Sequence, residues 1–174
     1  MEINSEPEVW LRGPIPNVPA LLQPVAHSLL QCRNEVRATI PELSSPQLWM
    51  RPGGAAAIGY HVHHAIGALD RLFTYARGEQ LSSTQLAALK AEDHLGEGTN
   101  DQLIAAFDAA VERALQQLQT TADAALLDPR EVGRARRPST VIGLLFHAAE
   151  HTQRHVGQLV TTAKVVRGTA SGVA

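Results

Sequence analysis

Apolar positions recur along this chain with the period of an α-helix in four long blocks, separated by stretches rich in proline, glycine and serine. From about Pro19 to Ile40, the residues Leu21, Leu22, Val25, Leu29, Cys32 and Val36 fall on one stripe, and Pro41 ends the block. Glu42 to Gly54 reads as a connection, because Ser44, Ser45, Pro46, Pro52 and Gly53-Gly54 punctuate it, with Leu48 and Trp49 tucked inward. A second block, Ala55 to Ala76, carries Ile58, Val62, Ala65, Leu69, Leu72 and Ala76 on its apolar face, and Gly78 stands where a C-cap glycine is expected. Residues 79–98 form a long polar link with room for a short helix from Ser83 to Ala91. Such a link lets the chain cross the bundle, so the helices it joins need not be antiparallel neighbours.

The third block opens near Thr99 or Asn100, both good caps, and aligns Leu103, Ile104, Phe107, Val111, Ala114, Leu115 and Leu118. A further loop, LLDPREVGRARRPS, separates it from the fourth block, which starts after Pro138 with Ser139 as its expected N-cap and runs to about Arg167. The pattern predicts an all-α fold of four helices. Residues 1–18 carry Pro7, Pro14 and Pro16 and predict an extended arm anchored by Trp10 and Leu11; 19–167 form the bundle; 168–174 form a flexible tail.

Composition narrows the picture. Hydrophobic residues make up 44% but aromatics only 4%, so the core must be built from Leu, Val, Ile and Ala, as close-packed helices allow. A net charge of −2 with mixed signs leaves no footprint for nucleic acid, and no apolar run is long enough to span a membrane. Cys32 is the single cysteine, which excludes an intramolecular disulfide and Cys-rich zinc frameworks; on the apolar stripe it reads as a buried structural thiol. Together with an acidic N-terminus, this gives the expectation of a soluble cytoplasmic protein. Arg130, Arg134, Arg136 and Arg137 read first as a solvated loop and second as receptors for a substrate carboxylate at the bundle mouth.

The histidines are the candidate chemistry. His147, His151 and His155 follow one another at i, i+4 steps in HAAEHTQRHVGQ, so their rings stack along one helical edge. On a wheel centred on Val141, Leu145, Ala148, Leu159 and Ala163, His155 lies about 30° from the apolar centre, His151 about 70° and His147 about 110°. His151 and His155 are therefore the inner pair and His147 a rim residue. A core-facing imidazole needs a partner for each ring nitrogen, and a shared metal ion satisfies one on each ring. The second cluster is His61, His63 and His64: His61 lies nearest the apolar centre, His64 on the flank, and His63 points outward. The wheel favours His61 as a third ligand, whereas a site at the bundle mouth would use His64. His27 and His94 read as solvated. Three imidazoles suit zinc, nickel, copper or iron, and an open fourth position would leave room for water or a thiolate. The pattern of a di-iron carboxylate bundle is absent, since Gln153 follows Glu150 at the third place, as is H-E-x-x-H, since Thr152 follows His151.

The run HAIGALDRLFTYARG from His64 and the run EHTQRHVGQL from Glu150 together resemble the DinB/YfiT-like superfamily, in which a histidine opens the second-helix motif and H-x-x-x-H on the last helix precedes a Gly-Gln step. His64, His151, His155 and Gly157-Gln158 match those positions; Arg154 stands where a further, non-ligating histidine is common. The resemblance implies an up-down-down-up four-helix bundle, a divalent metal (Zn, Ni or Fe) on His64, His151 and His155, and a homodimer. It also implies a thiol S-transferase, or a related hydrolase or isomerase, that joins a low-molecular-weight thiol such as mycothiol or bacillithiol to a small electrophile. On this resemblance His64 replaces His61 as the third ligand. Two other readings are a non-catalytic metal-binding or dimerisation module with a structural site, and a metal-free helical bundle whose inner histidines are ordinary core residues. No residue stands out as general base; Glu150 and His147 are adjacent candidates, and whether His61 or His147 joins the site stays open.

Overall fold

In the computed structural model, which describes residues 6–92 and 98–170, four long helices carry the fold: α1 (Gln23–Thr39), α3 (Ile58–Ala76), α5 (Asn100–Thr120) and α6 (Val141–Ala170). Two short ones, α2 (Ser45–Trp49) and α4 (Ser83–Ala91), lie in the connections. The expectations for residues 1–5, for His94 and for the last four residues of the tail fall outside the described residues. Each long helix packs against two others, α3 and α1 both touching α5 and α6. Arg37 meets Asp108 and Arg33 meets Glu112, so α1 and α5 run antiparallel. His61 meets His155 and His64 meets His151, so α3 and α6 are antiparallel too. Gln117, near the end of α5, donates to Phe73 O near the end of α3 (3.0 Å), so this pair runs in the same direction. The link between them must return the chain to its starting end.

The predicted stripes form the core. Leu29, Cys32 and Val36 of α1, Ile58, Val62 and Leu69 of α3, Leu103, Phe107 and Leu118 of α5, and Leu145, Leu159 and Ala163 of α6 are all buried in one cluster. Small residues such as Ala65, Ala114 and Ala148 let the helices approach closely where aromatics are scarce. Leu21 departs from expectation and is exposed, because residues Ala20–Leu22 form a 3-10 turn whose tighter winding takes it off the α1 stripe. The start of α3 also shifts to Ile58, since Ala57 is still extended.

The N-terminal segment is held differently from the prediction. Val9 and Val18 are its buried anchors, while Trp10 and Leu11 face solvent in a 3-10 turn, the indole N–H donating to Glu8 Oε2 (2.7 Å). Its backbone is satisfied by side chains of α1: Gln23 bonds Ile15 N, Ile15 O and Val18 O, Gln31 accepts from Val9 N, and His27 Nε2 donates to Gly13 O. A proline-rich strap has few amide donors of its own to pair, so amide side chains take over that task.

Caps explain several boundaries. Thr99 and Gln102 form a capping box at α5, and Ser82 and Gln85 form another at α4, which begins and ends where predicted. Ser44, Ser45 and Pro46, read as breakers, start α2 instead, Gln47 completing a capping box with Ser44. The arginine-rich loop is a hairpin of β1 (Pro129–Val132) and β2 (Arg137–Thr140), in register Pro129 to Thr140 and Val132 to Arg137. In a two-stranded ribbon both strands are edges, so Pro138 can sit within β2 without breaking a ladder on its outer side. Ser139 belongs to this strand, and the cap of α6 is Thr140, whose Oγ1 accepts from Gly143 N at 3.1 Å.

Candidate metal centre

The antiparallel contact of α3 and α6 places the two histidine clusters opposite each other. One ring nitrogen from each of His64, His151 and His155 lies within 4.8 Å of the others. The ring centroids of His64 and His151 stand 4.5 and 4.6 Å from that of His155, and Nε2 of His64 is 3.0 Å from Nε2 of His151. Two nitrogens bound to one tetrahedral ion at about 2.0–2.1 Å would be about 3.3 Å apart, so the rings already stand near ligand spacing.

Two further features suit the cluster to a cation. Burial holds the His155 pKa down to about 4, with His64, His151, His61 and Arg154 adding to the effect, so at neutral pH its ring offers a lone pair. Burial likewise lowers His151 and His61. His151 Nδ1, the ring nitrogen that does not face His64, is buried with no hydrogen-bond partner among the described residues. His64 Nδ1 lies 2.9 Å from Oε2 of Glu92. A carboxylate only accepts, so Nδ1 carries the proton and Nε2 presents its lone pair. These residues fit a divalent transition metal.

The structure sorts the other histidines. His61 is buried and its Nδ1 lies 3.0 Å from Nδ1 of His155, so it adjoins the cluster without being among the three whose nitrogens converge. His147 is half-exposed and bonded to Glu150 (2.6 Å), in keeping with a rim position. His63 stacks on Trp49 away from the cluster, and Tyr60 lies parallel to the His64 ring, centroids 5.6 Å apart. The wheel favours His61 by its burial, and both His61 and His64 meet α6, but the three nitrogens that converge are those of His64, His151 and His155.

Two functional neighbours escaped the sequence reading. Glu92 is buried although it lies in the polar link, and Arg71, one further turn along α3 than Gly67, pairs with its other oxygen. The signal was indirect: a ligating imidazole calls for an acceptor behind it, and no acidic residue of α6 filled that place.

A cleft of ≈720 Å³ opens beside the cluster, lined by His61, His155, Tyr60, Arg154, Gln158 and Thr162 among others. None of the four hairpin arginines lines it. Arg130 instead donates from Nε to Ala76 O (2.9 Å) at the C-terminal end of α3, where a cation complements the helix dipole, and Arg136 pairs with Glu131.

Among the described residues no helix is long and apolar enough to cross a membrane. No curated protein matches the chain. The family model of the DinB superfamily matches residues 28–159, a span that contains α3, α5, the three convergent histidines and the Gly157-Gln158 step. With helical architecture, histidine positions and family match in agreement, the chain belongs to the DinB superfamily.

Proposed function

We propose that this protein is a metal-dependent enzyme of the thiol S-transferase type, or a related hydrolase or isomerase, with His64, His151 and His155 holding one Zn, Ni or Fe ion. The observation that carries the reading is the convergence of three imidazole nitrogens, one of them on a ring kept uncharged at neutral pH by burial. The helix directions support the up-down-down-up order that the family resemblance implies.

A divalent ion at this position would supply Lewis acidity that lowers the pKa of a bound thiol or water. The chain's own residues do the rest. Glu92 holds the proton at Nδ1 of His64, Tyr60 supports the His64 ring face, and His61 braces His155. The adjoining cleft is large enough for a small electrophile next to a low-molecular-weight thiol, with Arg154 and Gln158 offering polar contacts at its wall. Arg154 is itself bonded to Glu150 (2.6 Å), which also holds His147, so these three form a polar rim. Small-molecule partners, a homodimeric state and a cytoplasmic location belong to the same proposal.

The test is elemental analysis of purified native protein beside a His151→Ala, His155→Ala double variant. About one transition metal per chain, lost in the variant, supports the site and is followed by pairing thiols with electrophiles in an activity screen. Protein that contains no metal and takes up none on addition of zinc or nickel sinks the proposal.

The contact between His61 and His155 favours a second reading, in which a fourth imidazole closes the shell and the metal is structural. X-ray absorption decides between them: four histidine ligands would mark a structural site, three plus a lighter exchangeable ligand an open one.

A further inference from the structure

We infer that Glu92 is the positioning residue of the metal centre, delivered by the α4 link to fix the tautomer and orientation of His64 so that its Nε2 lone pair is turned toward His151 and His155. The inference rests on the reading of those three histidines as metal ligands.

Glu92 is buried. A carboxylate enclosed in a helical bundle is costly unless its oxygens are paired, and here both are: Oε2 with His64 Nδ1 at 2.9 Å, Oε1 with the Arg71 guanidinium. His64 and Arg71 are seven residues apart on α3 and so share one face two turns apart. Gly67 lies between them. A Cβ built on Gly67 would collide with Glu92 Oε1 and with the Arg71 guanidinium, so this glycine is the floor of a socket shaped to the carboxylate. Pinning the link to the bundle would need only the Arg71 pair. The second oxygen, aimed at a ring nitrogen of a ligand candidate, does something more specific: it leaves Nδ1 only the role of donor.

Crossing the bundle costs the chain a long connection between two helices that run the same way. Placing Glu92 at its far side gives that connection a chemical task.

The experiment uses the full chain in two states. In metal-free protein at pH 8, long-range proton–nitrogen NMR correlations of the histidine rings are expected to show His64 with its proton on Nδ1, and Glu92→Ala to shift it to the other tautomer or a mixture. Competition with a chromogenic chelator is then expected to show zinc binding weakened about 10–100-fold, with one zinc per chain retained. Gly67→Ala guards against an unfolded variant: alanine favours the helix, yet it displaces the carboxylate, so zinc affinity should fall while the chain keeps the helical circular dichroism of wild type. An unchanged His64 tautomer together with zinc affinity within twofold of wild type in both variants overturns the inference. Wild-type protein that takes up no zinc overturns the metal site itself, a failure read on the unmutated chain and so distinct from the first.

Discussion

The indole of Trp49 lies against the bare backbone of Gly59, occupying the space that a side chain at that position would need. Trp49 is the last residue of α2, and its other face contact is the ring of His63, stacked at 18° with centroids 6.0 Å apart. The short helix is thus latched to the first turns of α3, just upstream of the histidine that enters the site. Replacing Gly59 with alanine should raise helix propensity but force the ring aside. The expected net effect is a loss of about 1–3 kcal/mol, or several degrees in Tm by circular dichroism; a variant as stable as wild type would show that Trp49 yields without cost.

The cap of α6 provides a sharper test of local structure. Thr140→Ala removes the hydroxyl that accepts from Gly143 N and should cost about 1 kcal/mol. Ser139→Ala, one residue earlier in β2, should stay within about 0.5 kcal/mol of wild type. Chemical denaturation of both variants checks the pair, and the reverse order would restore Ser139 as the cap.

The depressed histidines make the metal-free protein sensitive to mild acid. His155, held to about 4 by burial, and His151 and His61, lowered for the same main reason, stay unprotonated in the folded chain where the unfolded chain begins to bind protons near pH 6.5. Between that pH and about 5 the unfolded state therefore carries more protons, and stability falls as pH falls. Thermal melts of chelator-treated protein at pH 7 and pH 5 should differ accordingly, and the difference should shrink in His155→Ala. A flat profile in this window would contradict the burial of these rings.

His61→Ala separates bracing from ligation. Loss of the contact with His155 Nδ1 should leave one metal per chain and weaken binding about tenfold. Complete loss of metal, measured by elemental analysis after dialysis, would instead make His61 a ligand and favour the closed structural site.

Much of this architecture was legible in the periodicity of the chain. The stripes of α1, α3, α5 and α6, the caps of α5 and the short helix α4 all follow from local rules that the sequence displays directly. The hairpin at Pro129–Thr140 was not legible, because four-residue strands interrupted by prolines and arginines carry almost no alternation to read. The anchors of the N-terminal strap were misjudged for a different reason: size suggested Trp10, whereas geometry admits the smaller Val9 and Val18. At the candidate site, spacing singled out His151 and His155, but whether the ring of His61 or of His64 converges with them depends on how two helices face each other, which periodicity does not encode. Glu92 lay further still from view, since it is brought home across the bundle by residues with no apolar signature.

Cys32, fully enclosed and donating to Gln153 Oε1 at 3.5 Å, has its pKa pushed up to about 12 by burial and by the nearby Glu35. Its thiolate form is thereby disfavoured at neutral pH, and its enclosure keeps alkylating and disulfide reagents away while the bundle is closed. An assay that follows the disappearance of sulfhydryl groups therefore has no background from the protein: any decline belongs to the thiol that was added. Labelling of the chain itself, conversely, counts the molecules that have opened, and gives a clock for unfolding that requires no engineered probe.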